Sequence, residues 1–213
     1  MSPTSHRAYD AAARALSLFC ALVIIVILSP VLAIMALAVR ITLGSPVFFT
    51  QKRPGLEGRL FTVHKFRTMR MAERPLSSLD AVATDAGRLT GLGRFLRATS
   101  LDELPQLFDV VSGHMNLVGP RPLLPEYLTR YSPYHARRHE VRPGMTGWAQ
   151  VNGRNQASWD DRFDMDVWYV DNRSLRLDLR ILLRTVRVAL SREGVTAEGS
   201  ETASPYEGNG RQE

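Results

Sequence analysis

From Ala15 to Val39 the chain carries no charged residue, a run of about 25 positions. That length suffices for a membrane helix. Ser29-Pro30 falls in its middle. Pro30 has no amide proton and its ring crowds the preceding turn, so a straight helix is predicted to bend or break there. The Ser29 hydroxyl could satisfy the freed carbonyl. Beyond this segment the pattern shortens. Val47 to Thr50 and Leu60 to Phe66 read as two strands joined by the turn-rich Pro54-Gly55-Leu56-Glu57-Gly58. Residues 71–90 are polar and mixed, the pattern of a mobile loop. A short basic helix is predicted over Gly91–Ala98 and a second over Asp102–Val111, followed by a Gly- and Pro-rich stretch through Pro122. Leu124–Glu140 reads as helix with Arg130, Arg137 and Arg138 on exposed faces, and Arg142–Arg154 as loop. Helical patterns return at Trp159–Val170 and Leu177–Leu190. Residues 191–213 are Gly/Ser/Glu-rich and apolar-poor, which predicts disorder. The sum is an α+β chain, mostly helical. It has a membrane helix within residues 1–43, a small β-hairpin inside a domain over 44–190, and a tail over 191–213.

Charge changes the picture at the membrane segment. Arg7 and Arg14 precede it; Arg40, Lys52 and Arg53 follow it. Positive flanks prefer the cytoplasmic side, and here both flanks are positive. A helix that enters, breaks at Ser29-Pro30 and leaves by the same face satisfies both. A kinked single span is the alternative. The chain as a whole has 213 residues and a net charge of +6, which suits nucleic acid, lipid headgroups or phosphorylated substrates. Hydrophobic residues at 45% and charged residues at 23% exclude a disordered polymer. Cys20 is the sole cysteine, so no internal disulfide forms.

The stretch richest in chemistry is LRATSLDELPQL, residues 96–107. Pro105 is tolerated only near a helix start, which puts Asp102 and Glu103 at or just before a helix N-terminus. Ser100 and Glu103 match the S-x-x-E capping box, so these acids have a purely structural reading. The chemical reading is a carboxylate nucleophile attacking a diphosphate, with charge neutralised by a divalent cation, arginines or both. Arg94 and Arg97 lie upstream and Arg121 downstream. Gly119-Pro120-Arg121-Pro122 is a rigid turn displaying one guanidinium, a planar fork for phosphate oxygens. Lys65 and Arg67 alternate in HKFRTM and are expected to share a strand face. Mg2+ suits a site of carboxylate and substrate phosphates. Other candidates are His135 and His139 at i,i+4 among arginines, and the Asp164-Met165-Asp166 triplet within an aromatic, helical stretch. Trp148, Trp159 and Trp168 read as interfacial anchors or core.

The segments KFRTM, LRATSLDELPQL, LVGPRPLLPEYL, RPGMTGWAQVNGR and FDMDVWYVDN occur in one order. In that order they resemble the bacterial sugar transferases, the monotopic phosphoglycosyl transferases, over residues 10–190. With one hydrophobic segment the chain is similar to the small form of that family. The resemblance implies a re-entrant N-terminal helix broken at Ser29-Pro30 and a catalytic dyad at Asp102-Glu103. It implies that Asp102 attacks the diphosphate of a UDP-sugar, releases UMP and holds the phospho-sugar covalently, with Mg2+ near Asp102. Undecaprenyl (polyprenyl) phosphate then takes the phospho-sugar. Arg121, between Pro120 and Pro122, is the implied phosphate residue; Arg97 and Lys65 are implied supports, and Asp166 has an implied site role. A bacterial inner membrane location follows, with the catalytic domain on the cytoplasmic face. Similarity to bacillosamine-type enzymes suggests a UDP-N-acetylated amino sugar, with glucose and galactose derivatives open.

Two rivals stay open. One is a Leloir glycosyltransferase that uses Asp164 and Asp166 for metal and releases UDP. The other is a non-enzymatic basic membrane adaptor. No nucleic-acid motif is present, so no nucleic-acid partner is expected.

Overall fold

A computed structural model describes residues 3–71, 87–153, 157–191 and 206. The loop expected over 71–90 and the tail expected over 191–213 lie mostly outside those residues.

The chain opens with a 41-residue helix, α1 (Pro3–Leu43). Helical geometry persists through Pro30. The missing amide of residue 30 leaves the Val26 carbonyl without its usual donor. The Ser29 hydroxyl donates to that oxygen at 2.9 Å, so the interruption is repaired on the spot.

Both arms of α1 dock on one body. In the first arm, Arg14 donates to the carbonyls of Val110 at 2.6 Å, Met115 at 3.1 Å and Val111 at 3.1 Å. It thereby caps the C-terminal end of a helix with a cation. Ser17 accepts from the Leu117 amide, and Ala21 is fully buried in the main core. In the second arm, Val39 is fully buried with Phe66 and Leu96. The Arg67 guanidinium closes that arm by donating to the carbonyls of Leu43, Gly44 and Ser45. Lys65 and Arg67 therefore do not share a face: the strand ends at Phe66, and Arg67 turns back to the α1 terminus. Between the arms, Val26, Ile27 and Ile34 are 73%, 67% and 60% exposed. An apolar band of this kind is unfavourable in water and suited to lipid.

The hairpin pairs β1 (Phe48–Pro54) with β2 (Leu60–Phe66), antiparallel, from Phe48 opposite Phe66 to Pro54 opposite Leu60. Residues 49, 51 and 53 thus share a face with 65, 63 and 61. Helix α2 (Gly91–Ala98) is capped by Thr90, whose hydroxyl accepts from the Gly93 amide at 3.0 Å. A 3-10 turn, Leu101–Glu103, leads into α3 (Gln106–Val111), with Pro105 directly ahead of the helix. The sequence expectation of acids at or just before a helix start holds.

Two further expectations are corrected. Leu124–Glu140 is not one helix. It is a 3-10 turn (Pro125–Tyr127), a single helical turn α4 (Pro133–Ala136) and a further 3-10 turn (Arg137–Glu140). Pro125 and Pro133 supply no amide and push the preceding residue out of the helical region. Nor is the described part of 142–154 loop. It forms β4 (Gly144–Thr146), parallel to β3 (Asn116–Val118), then α5 (Trp148–Asn152). Helices α6 (Trp159–Asn172) and α7 (Leu175–Ser191) close the domain. Leu177 and Ile181 of α7 join Ala21, Val63, Leu107 and Val110 in the main core.

Candidate active site

The centre of the site is the Leu101–Glu103 turn. Ser100 enters it with φ 56° and ψ 16°, a left-handed conformation uncommon for a residue with a side chain. Its hydroxyl makes no capping bond, so the capping box does not form. Glu103 has instead turned toward two cations. Lys65 Nζ and Arg121 Nη2 each lie 2.6 Å from Glu103 Oε1, and Arg121 Nη1 lies 3.4 Å from Oε2. Three charge-assisted bonds from two cations outweigh one neutral cap. Burial alone would raise the Glu103 carboxyl, but Arg121 and Lys65 overcome it and hold it well below the usual carboxylate range. Burial lowers Lys65, and Glu103 raises Arg121.

Asp102, the adjacent acid, is treated differently. It is 8% exposed. Burial first, and then the Glu103 charge, push its carboxyl up to about 6, against the pull of Lys65, Arg97 and Arg121. Among the described residues no donor hydrogen-bonds to it. One acid of the pair is spent on fixing Lys65 and Arg121; the other is left bare beside those cations. A bare carboxylate with raised basicity is a competent nucleophile once ionised. Arg97 stands alongside, its Nε donating to Thr68 Oγ1 at 3.2 Å.

A layer behind holds the Pro120-Arg121-Pro122 turn. Arg138 is buried, and its Nη2 donates to the Arg121 carbonyl at 2.8 Å and to Asp166 Oδ2 at 2.6 Å. Its Nη1 donates to Tyr131 Oη at 2.9 Å, and the guanidinium lies 5.5 Å from the Phe163 ring centre. Asp166 is thus linked to the Arg121 backbone through Arg138. Gly119 and Gly144 let two backbones meet. A Cβ on Gly144 would lie 2.1 Å from the Gly119 nitrogen. This contact allows Gly119 to donate to Thr146 and Gly144 to donate to Pro120. Tyr206, the one described residue of the expected tail beyond Ser191, is 4% exposed. Its ring stands edge-on to Tyr127 and Phe163, and its amide donates to Tyr127 Oη at 2.9 Å.

The weaker candidates disperse. Asp164 meets His135 Nε2 at 3.0 Å, while Asp166 faces Arg138. Two residues apart on a helix, the acids point in different directions and do not share a cation. Burial and then Arg138 push His139 down to about 4, and its ring is directed at the Gly55 carbonyl. Trp148 and Trp168 stack at 4.8 Å, and Trp159 packs edge-on against Tyr127. Among the described residues no three acids, histidines or cysteines form a metal cluster. Mg2+ does not require one: it binds through one or two carboxylates completed by substrate phosphates and water. Asp102 fits that donor set; Glu103, engaged by two cations, does not.

The profile described as bacterial sugar transferase matches residues 8–192. The chain is a bacterial sugar transferase. The transferase is 50% identical to an uncharacterized sugar transferase, EpsL, of Bacillus subtilis over 204 residues, 96% of each chain. It is 39% identical over 195 residues to an undecaprenyl-phosphate galactose phosphotransferase of Salmonella typhimurium, covering 85% of this chain and 41% of that one. It is 42% identical over 168 residues to a UDP-glucose:undecaprenyl-phosphate glucose-1-phosphate transferase of Xanthomonas campestris, covering 75% and 35%. The transferase thus spans about two fifths or less of those two larger relatives.

Of the residues singled out from sequence, Lys65, Asp102, Glu103 and Arg121 come together, with Arg97 beside them and Pro120 and Pro122 framing Arg121. Arg94 has no part in this ion-pair cluster. Arg138, expected on an exposed face, is instead the buried support of the turn. Its partner Asp166 was the only hint, and a single acid does not name its cation across 28 residues.

Proposed function

We propose that the transferase moves a sugar-1-phosphate from a UDP-sugar to undecaprenyl phosphate by way of an aspartyl phospho-sugar on Asp102. The observation that carries this reading is the bare Asp102 carboxylate beside a glutamate that fixes Lys65 and Arg121. The names of the larger relatives, which specify undecaprenyl-phosphate galactose and glucose-1-phosphate transfer, support it.

In the first step an Asp102 oxygen attacks the sugar-bearing phosphorus. The bond from that phosphorus to the bridging oxygen breaks, and UMP departs with the electron pair. Lys65 and Arg121, held by Glu103, would neutralise the phosphate charge as it gathers. In the second step an oxygen of the lipid phosphate attacks the same phosphorus. The Asp102 carboxylate is released, and the product is polyprenyl-diphosphate-sugar. Asp102, with substrate phosphate oxygens, would hold Mg2+, which supplies further charge neutralisation.

Membrane placement follows the same reading. Both arms of α1 pack on one domain, and the apolar band between them is exposed. This supports re-entry at Ser29-Pro30, with the domain on the cytoplasmic face of the inner membrane where UDP-sugars are made.

The test is nucleotide release. Protein in nanodiscs receives Mg2+, undecaprenyl phosphate and UDP-glucose, UDP-galactose or UDP-N-acetylated amino sugars, with Asp102→Asn in parallel. UMP released by the wild type and not by the variant is the expected result. UDP release would identify a Leloir enzyme instead.

A further inference from the structure

The hairpin face that carries Lys65 carries a second cation. Arg53 pairs in register with Phe61, and Phe49 with Lys65, so Arg53 and Lys65 project from the same side of the sheet. Four strand positions separate them, or about 13 Å at ~3.3 Å per residue. The end of β1 abuts the turn that displays Arg121: Pro54 lines a small cavity together with Pro120, Arg121 and Pro122. Arg53 is half-buried. Among the described residues its guanidinium makes one side-chain hydrogen bond, from Nη2 to the neutral Gln51 Oε1 at 2.6 Å, and no ion pair. Of the two acids that act on Arg53, Glu126 and Glu103, Glu103 already serves Lys65 and Arg121. Burial and then repulsion by Arg121 draw Arg53 down to about 10, with Glu126, Tyr127 and Glu103 opposing.

Among the described residues, this half-buried guanidinium, with a neutral partner and next to another guanidinium, has no acid within ion-pair distance. Such an arrangement is favourable when an anion sits between the two forks. Phosphate fits best, since its oxygens can meet two planar guanidinium groups at once.

We propose that Arg53 is a phosphate-binding residue of this site, sharing a substrate phosphate with Arg121. The inference rests on the proposed function and deepens it. Two substrate phosphates have the required chemistry: the nucleotide-side phosphate of the UDP-sugar and the phosphate of the lipid acceptor.

The test uses Arg53→Gln and Arg53→Lys of the full chain in nanodiscs, in two arms. One arm follows single-turnover UMP release without lipid acceptor; the other follows steady-state turnover with undecaprenyl phosphate. Arg53→Gln should lose at least tenfold in kcat/KM, and Arg53→Lys should recover part of it by restoring the charge without the fork. A slowed first arm with a raised KM for UDP-sugar assigns the donor phosphate. An intact first arm with a raised KM for the lipid assigns the acceptor. Activity within twofold of wild type in both arms overturns the proposal. So does an equal loss in both variants accompanied by a lowered Tm, which marks a purely structural residue. Calorimetric binding of UDP and of undecaprenyl phosphate separates this proposal from the proposed function. If the wild type releases no UMP from any sugar, a fivefold weaker affinity of Arg53→Gln for UDP or for undecaprenyl phosphate still supports Arg53. Affinities of Arg53→Gln for both UDP and undecaprenyl phosphate equal to those of the wild type, or no binding of either by the wild type, then overturn it.

Discussion

Replacing Asp102 by Asn separates a nucleophile from a structural acid through stability rather than activity. The Asp102 carboxyl is pushed up to about 6 from an ordinary 3.8. A displacement of about 2 pH units corresponds to about 3 kcal/mol between the charged and neutral forms. The sign follows from proton counting. Below pH ~4 both folded and unfolded chains keep the proton, and the side chain costs nothing. As pH rises toward ~6 the unfolded chain loses its proton first, and the folded state loses stability. Above pH ~6 the full penalty stands. An asparagine amide is neutral throughout but, unpartnered, costs about 1 kcal/mol of desolvation. Asp102→Asn should therefore be about 1–2 kcal/mol more stable than wild type at pH 7.5, a rise in Tm of about 2–8 °C. The advantage should vanish by pH 4. Thermal unfolding in detergent, followed by intrinsic fluorescence at pH 4, 5, 6 and 7.5, reads this directly. A capping aspartate predicts the opposite, a loss of about 0.5–2 kcal/mol on replacement. A variant less stable than wild type at pH 7.5, or a difference independent of pH, would refute the reasoning.

Three further outcomes follow from the same geometry. Glu103→Gln removes the second cause of the Asp102 rise and frees Lys65 and Arg121 to act on it. The acid limb of kcat/KM against pH should move from near 6 to lower pH, with a reduced plateau; a limb that stays or rises refutes the coupling. Arg138→Met leaves Asp166 buried without a partner and should cost about 3–5 kcal/mol. Adding Asp166→Leu should restore much of that stability in chemical denaturation, yet KM for the UDP-sugar should stay raised because the Arg121 carbonyl has lost its support. Pro30→Ala, in a Cys20→Ser, Thr4→Cys background, should let part of the population adopt a full span. Thiol labelling from the two membrane faces measures it, and a Thr4→Cys site labelled only from outside in the parent would sink re-entry.

The local features were legible because each has a local cause. The charge-free run from Ala15 to Val39 dictates an apolar helix, and the alternation over Leu60–Phe66 dictates a strand. Pro105 fixes where the α3 helix can begin, and so places Asp102 and Glu103 ahead of it. The family order of motifs named Lys65 and Arg121 as well. What sequence left open was which of two readings an acid would take. Ser100 and Glu103 spell a capping box, and only the approach of Lys65 and Arg121 from separate elements made the charged pairing win. The same holds for Asp166, whose site role became a buried pairing with Arg138 once α6 packed on the 137–140 turn. Leu124–Glu140 fails as a helix because Pro125 and Pro133 act locally, a signal present in the sequence. The β3–β4 pairing, by contrast, had no local signal. It rests on Gly119 and Gly144 lying backbone to backbone across 25 residues of chain. Periodicity and punctuation are properties of neighbouring residues and survive in the sequence; the partner of a charge is a property of distance in space, and only the folded chain assigns it.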